Sequence, residues 1–231
     1  MKKQIVTLAI ATALLSGAVH ANEAGDWVIR AGATNVDPDS GNSGVFVEAL
    51  GGDTPLSLSV EDDTQLGLNF AYFFSPNWAI ELLAATPFQH DVIINDPEGI
   101  APGIFGVPVD GATLAEVKHL PPTLSVLYYF TSAGSFQPYV GLGLNYTTFF
   151  EEKFKSDPDA LGFNDLELDD SWGYSAQIGL DFYFTDNWLV NASARYIDIE
   201  TDADFNIGDI PGSSNVEIDP MVYSLMLGYK F

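Results

Sequence analysis

Thr64-Gln65-Leu66-Gly67-Leu68-Asn69-Phe70-Ala71-Tyr72-Phe73-Phe74 alternates large apolar side chains with small or polar ones. Leu66, Leu68, Phe70, Tyr72 and Phe74 share one face; Gln65, Gly67, Asn69 and Ala71 share the other. A period of two marks a β-strand, because successive side chains point to opposite sides. Length then decides its setting. Strands of globular proteins usually run about 5–6 residues, whereas a tilted strand crossing a bilayer needs roughly 9–11. The run quoted is of the second kind.

The same reading recurs outward along the chain. Trp78–Asp91 sets Trp78, Ile80, Leu82, Ala84 and Phe88 against Glu81, Gln89 and Asp91. In Gln137–Phe150, Val140, Leu142, Leu144 and Tyr146 oppose Gly141, Gly143, Asn145 and Thr147. Ser171–Phe184 places Trp172, Tyr174, Ile178, Leu180 and Phe182 opposite Gly173, Ser175, Gln177 and Asp181. Trp27–Val36, Thr123–Phe130, Trp188–Ile199 and Glu217–Phe231 complete a set of eight runs. Pro121-Pro122 cannot donate to a ladder and predicts an irregular entry to the Thr123 strand. An even number of strands is what a closed single-chain bacterial barrel requires.

Connections alternate in length. Ser75–Asn77, Thr131–Phe136 and Thr185–Asn187 are brief; Asp37–Asp63, Asn95–Val117, Glu151–Asp170 and Asp202–Asn215 are long and rich in Asp, Pro and Gly. Short periplasmic turns and long outer loops are the pattern of an outer-membrane barrel. Phe74-Ser75-Pro76-Asn77-Trp78 and Phe184-Thr185-Asp186-Asn187-Trp188 each put a ring on both sides of a tight turn, as an interfacial aromatic belt demands. Lipid offers no partners to backbone N–H and C=O, so only helices or closed barrels span it. The chain has no run of about twenty apolar residues. A soluble sandwich would instead turn its larger apolar side chains inward, and its strands would be shorter.

The N-terminus reads as an export signal. Lys2 and Lys3 precede the apolar Ile5–Leu15, and Val19-His20-Ala21 offers small residues where a signal peptidase cuts. Residues 1–21 are therefore expected to leave, with a barrel domain over 22–231. The 231-residue chain is 47% hydrophobic and has no cysteine, so disulfides play no part. Its 8 Lys+Arg against 32 Asp+Glu give a net charge of −24, and loss of the two signal lysines lowers this to −26. Nucleic-acid binding needs the opposite sign. The acids are expected on solvated loops, where Glu61-Asp62-Asp63 and Asp169-Asp170 could gather divalent cations that bridge to lipopolysaccharide phosphates.

With those residues in view, the chain resembles the OmpW family of small outer-membrane barrels. The resemblance runs through Trp27–Gly32, Asn77–Phe88, Lys118–Leu124 and Gln137–Tyr146. It implies an all-β, eight-stranded antiparallel transmembrane β-barrel in the outer membrane of a Gram-negative bacterium. It also implies a passive route for small hydrophobic molecules. Tyr223, Leu225, Leu227, Tyr229 and Phe231 resemble the C-terminal signal that the barrel-assembly machinery reads. The unusually acidic loops depart from the family, so receptor roles are not carried over.

Parity nominates the lumen. Phe73, Leu83, Leu127, Tyr129, Phe149, Tyr183, Leu189, Val222 and Met226 are expected inward, together with the polar Arg30, Glu81, Gln177, Asp181 and Arg195. Eight strands leave an interior just wide enough for their own side chains. A plug of apolar packing and buried pairs (Arg30 or Arg195 with Glu81 or Asp181) therefore competes with an apolar pocket open to the outer loops. A structural or receptor barrel with a sealed lumen is the corresponding rival function.

Enzyme chemistry finds little support. His90 and His119 flank one hairpin, but parity puts His90 outward and His119 inward, which leaves no paired base. No metal or other cofactor is expected from that spacing. Asp157–Gly162 begins like a calcium loop, yet Leu161 and Leu168 stand where oxygen ligands belong. Gly141-Leu142-Gly143 lies in a strand, where the glycines relieve crowding and do not cradle a nucleotide.

Overall fold

The computed structural model describes residues 22–39, 43–47, 52–104, 106–130, 134–155 and 162–231. The expected signal (1–21) and most of the calcium-loop look-alike Asp157–Gly162 lie outside the described residues. Strand dominates. In chain order come β1 (Trp27–Asp37), β2 (Ser43–Val47), β3 (Gly52–Val60), β4 (Asp63–Ser75) and β5 (Trp78–Ala85). Next are β6 (Phe88–Asn95), a single helical turn α1 (Ala101–Ile104), β7 (Ala112–Leu120), β8 (Thr123–Tyr129) and β9 (Phe136–Phe154). β10 (Phe163–Leu168), β11 (Ser171–Tyr183), β12 (Trp188–Ile197), β13 (Glu200–Ile207), β14 (Ile210–Glu217) and β15 (Met221–Lys230) complete it.

Eight of these strands close a barrel. β1 pairs β4, then β5, β8, β9, β11, β12 and β15 follow around the ring, and β15 returns to β1, every pairing antiparallel. Closure removes the sheet edges that hydrocarbon would not tolerate. The outward faces are greasy and open: Leu142 is 72% exposed, Trp172 74% and Leu225 62%. Aromatic rings mark both ends of this band. At the tight-turn end Trp27 packs on Tyr72, Trp78 on Tyr128, Phe136 on Phe182 and Trp188 on Tyr229. Tyr146 with Trp172 and Tyr174 with Tyr196 form the other ring. Trp172 and Phe182 lie ten residues apart on one face of β11. At roughly 3.4 Å per residue and a tilt of about 40° this spans about 26 Å, the height of an outer-membrane apolar band.

Beyond the upper ring the chain does not dissolve into loops, as its Asp, Pro and Gly content suggests. β10, β13, β14, β2, β3, β6, β7 and the upper half of β9 form a second layer of sheet that extends the wall. Short alternations supply its inward face: Leu56 and Leu58, Ala115 and Val117, Ala203 and Phe205 are all buried. β9 belongs to both tiers, pairing β8 through Tyr139–Asn145 and β7 through Thr148–Phe154.

The long run Trp78–Asp91 is not one strand. Pro87, which has no N–H, separates β5 from β6, and Pro121-Pro122 separates β7 from β8 at the same height. The break changes the phase of everything after it. Phe88 and His90, expected outward, are turned inward and buried, at 1% and 6% exposure.

Candidate functional site

The lumen is organised in three storeys. The lowest is a packed apolar floor of Val28, Phe73, Leu127, Tyr129, Tyr139 and Leu189, with Tyr183 at its edge. Asn22 is buried there, donating to Gln137 Oε1 at 2.7 Å and accepting from the Tyr183 hydroxyl at 3.3 Å. Floor and the Asn22 side chain together block the tight-turn mouth.

Above the floor lies a belt of buried polar groups. Arg30 grips Asp181 through two nitrogens, at 2.6 and 3.2 Å, and donates to Asn69 at 2.8 Å and to the Tyr129 hydroxyl at 2.7 Å. Glu81 receives Arg195 at 2.6 Å and Gln177 at 2.8 Å, with Arg30 farther off at 3.4 Å. Asn191 bridges Asp181 and Tyr139 at 2.7 and 3.0 Å. These side chains come from β1, β4, β5, β8, β9, β11 and β12, so the belt crosses the lumen and is not confined to one wall. Two arginines meet two carboxylates, and the formal charge cancels. Such pairs hold only when nearly all their hydrogen-bonding capacity is met.

Small residues make the belt possible. A Cβ on Gly141 would come within 2.5 Å of Leu127 and 2.8 Å of Gln177, and one on Gly179 would strike the Tyr139 ring. Only glycine lets those large side chains lie across the strands.

The top storey is apolar. Val36, Leu58, Phe88, Val117, Phe149, Phe205 and Ile218 belong to its core. It encloses a cavity of about 60 Å³ whose lining is aliphatic and aromatic except for His90 and His119. An engineered apolar cavity of roughly 150 Å³ admits benzene, so this chamber must widen before it takes a ring. Of the apolar lumen candidates, Phe149 faces the cavity; Phe73, Leu127, Tyr129, Tyr183 and Leu189 fall in the floor. Val222 packs into the upper core without touching the cavity, while Leu83 and Met226 are buried elsewhere. The polar candidates Arg30, Glu81, Gln177, Asp181 and Arg195 are brought together in the belt. Asn69, Tyr139 and Asn191 complete it, and the same parity places them inward.

Both histidines lie in the upper tier, outside the membrane-spanning strands. The inward turn of β6 brings His90 Nε2 to 3.1 Å from His119 Nε2, so the expectation of separated rings is corrected. Burial drives the His119 pKa down to about 3, with His90 acting in the same direction and Asp63 opposing. His90 is lowered by burial too, against the Glu61 carbonyl and the charges of Asp63 and Asp62.

One seam of the wall is stitched differently from the rest. Beside β5, the β4 ladder ends where Thr86 N donates to Leu66 O; higher up, Glu61 N donates to Asp91 O. Between these two bonds the edges are tied through side chains. Asp63 accepts Gln89 N at 2.9 Å and Gln65 Nε2 at 2.8 Å, and Thr86 Oγ1 donates to Gln65 Oε1 at 3.1 Å. Leu58, Val60 and His90 of the cavity lie just inside. On the outer rim Asp39, Asp169, Asp202, Asp204, Glu217 and Asp219 surround a separate polar basin.

A closed eight-stranded barrel with an apolar belt, tight turns at one end and a sheet extension at the other defines a small outer-membrane β-barrel. Residues 23–231 match the OmpW family, and the chain belongs to it. It is 44% identical to outer membrane protein W of Vibrio cholerae, over 100% of both chains. A relative in Pseudomonas aeruginosa, 26% identical over 100% of both chains, is named dibenzothiophene metabolism operon protein PahQ. Among solved structures, outer membrane protein OprG of Pseudomonas aeruginosa superposes with a TM-score of 0.81 at 38% identity, covering 91% of this chain and 98% of that one. The protein resides in the outer membrane, its tight turns periplasmic and its extension outside.

Proposed function

We propose that the barrel is a passive conduit for small hydrophobic molecules, which enter the upper chamber from outside and leave sideways into the bilayer. The carrying observation is an apolar cavity in the upper tier, with a crossing belt of paired charges among the membrane-spanning strands below it. A solute descending further would have to part Arg30 from Asp181 and Arg195 from Glu81, leaving charges buried without partners, at several kcal/mol each. The seam beside Pro87 is the easier exit, since side-chain ties open at less cost than a backbone ladder in lipid. PahQ, whose name ties it to the metabolism of an apolar aromatic compound, supports the solute class.

Uptake of naphthalene by cells with and without the protein tests the reading, with Phe149→Asp as the blocked variant. Faster uptake with the wild type, lost in Phe149→Asp, is expected; equal uptake in all strains counts against a conduit. The floor and belt also favour a second reading, a sealed structural barrel acting through its acidic rim, and equal uptake would leave that one standing. Assembly through the barrel-assembly machinery is supported by the alternation that ends at Phe231.

A further inference from the structure

The chain's 8 Lys and Arg are distributed one-sidedly. Lys2 and Lys3 fall within residues 1–21; Arg30 and Arg195 are buried in the belt; Lys230, at the tight-turn end, meets Asp26 at 3.5 Å. The other three, Lys118, Lys153 and Lys155, stand together on β7 and at the outer end of β9. Val117 and His119 line the cavity, so the alternating Glu116 and Lys118 face outward. The ladder sets Phe150 opposite Lys118 and Lys153 opposite Glu116, on that same outer face. Lys155 joins them by meeting Glu116 at 2.6 Å and Asp91 at 3.4 Å, while Lys118 meets Glu151 at 2.6 Å.

Height decides what this surface meets. Tyr146 of the outer aromatic ring donates its N–H to the Pro122 carbonyl, so Pro121-Pro122 marks the upper limit of the hydrocarbon on this flank. At roughly 3.4 Å per residue and a tilt of about 40°, Lys118 lies about 8 Å higher and the Glu116–Lys153 rung about 13 Å higher. The polar layer on each side of a bilayer is about 5–8 Å deep, and a saccharide headgroup reaches beyond it. Long lysine stems let the ammonium groups swing down into that layer. Elsewhere on the rim the same level is acidic. Asp170 accepts from the Tyr146 hydroxyl, Asp219 accepts from the Tyr196 hydroxyl at 2.8 Å, and the Asp198 N–H donates to the Tyr174 carbonyl. A leaflet of phosphates repels those carboxylates and attracts the lysines. The present pairs do not hold the lysines back. Glu151 is 52% exposed and Lys155 37%, and ion pairs so open to water exchange partners at little cost.

We propose that Lys118, Lys153 and Lys155 form a docking surface for lipopolysaccharide, pairing directly with the phosphates of its lipid A headgroup. The occupant is a leaflet lipid because the surface continues the hydrocarbon-facing wall: Leu124 and Leu144, paired just beneath on β8 and β9, are 56% and 66% exposed. Acyl chains lying on those leucines carry their phosphates to the level of the lysines. Half-buried Phe150, opposite Lys118, adds apolar surface beside the headgroup. The assignment stands apart from the conduit reading.

The test titrates bisphosphorylated lipid A into phosphatidylcholine nanodiscs that hold the isotope-labelled full-length protein, with EDTA present throughout. Amide resonances of Lys118, Phe150 and Lys153 report contact. They are expected to half-saturate at a lipid A mole fraction roughly tenfold lower than for lipid A stripped of its phosphates. In the triple variant Lys118→Gln, Lys153→Gln, Lys155→Gln the two lipids should titrate alike, whereas Lys230→Gln at the opposite end should leave the preference intact. Equal titration of the wild type by both lipids, or a phosphate preference that survives in the triple variant, overturns the assignment. So does a preference seen only when calcium replaces EDTA, which would mean metal bridging from the acidic rim. Saturation of the same amides by inorganic phosphate alone would mark a site for soluble anions and equally overturn a lipid-docking surface.

Discussion

Replacing Arg195 with methionine separates two ways in which the belt could be held. The pairs are unequal. Arg195 meets Glu81 at 2.6 Å with both side chains almost fully buried, whereas Arg30 reaches Glu81 only at 3.4 Å and grips Asp181 with two nitrogens. Removing one partner of a buried pair costs about 3–5 kcal/mol, because the other charge is stranded. Arg195→Met and Arg30→Met should therefore each lose about that much. Adding Glu81→Leu should restore most of the loss in the Arg195→Met background, since Arg30 and Asp181 remain as a balanced pair. In the Arg30→Met background it should restore nothing, since Arg195 and Asp181 are then both abandoned. The assay is reversible urea unfolding in phospholipid vesicles followed by tryptophan fluorescence, read as two double-mutant cycles. Rescue of both arginine variants by Glu81→Leu, or a loss below about 1 kcal/mol for Arg195→Met, would refute a belt built from specific pairs.

Two further outcomes follow from the wall and the upper chamber. A histidine depressed by burial stabilises the folded state fully above its unfolded value near 6.5 and progressively less as pH falls toward the folded value, about 3 for His119. Stability should accordingly drop by roughly 2–3 kcal/mol between pH 6.5 and 4.5, and the double variant His90→Phe, His119→Phe should remove that part of the slope; an unchanged slope in urea titrations contradicts the neutral pair. On the lipid face, Leu142→Arg at mid-band should cost about 2–4 kcal/mol in the same vesicles, and a neutral effect there is incompatible with a hydrocarbon-facing Leu142.

The barrel was legible because lipid enforces alternation from outside. Leu66 to Phe74 and Tyr223 to Phe231 must each turn an unbroken apolar face to hydrocarbon, and no tertiary accident can override that. The belt residues were legible one at a time for the same reason, as polar positions on the opposite parity. Their partners were not, because Arg195 on β12 finds Glu81 on β5 across the lumen, and that depends on strand stagger. The upper tier was harder still. Beyond the membrane both sheet faces tolerate polar groups, so Ser57, Ser59, Asp202 and Asp204 dilute the hydropathy signal, and paired strands read as loops. Periodicity alone puts Phe88 and His90 on the wrong face, because one Pro shifts the phase of a strand by an amount that alternation cannot supply. A proline within a run is the warning sign at such a position, and parity should be restarted after it.

β9 runs nineteen residues from one membrane surface well past the other, bulging only at Glu151, while beside it the β7–β8 course is interrupted by Pro121-Pro122 and the next course, β5–β6, by Pro87. The upper tier is thus carried by one continuous strand and, in the two courses beside it, by proline joints. The backbone ladder is thinnest at those joints, so a wall that yields to a solute is expected to yield there, on a side set by the positions of three prolines.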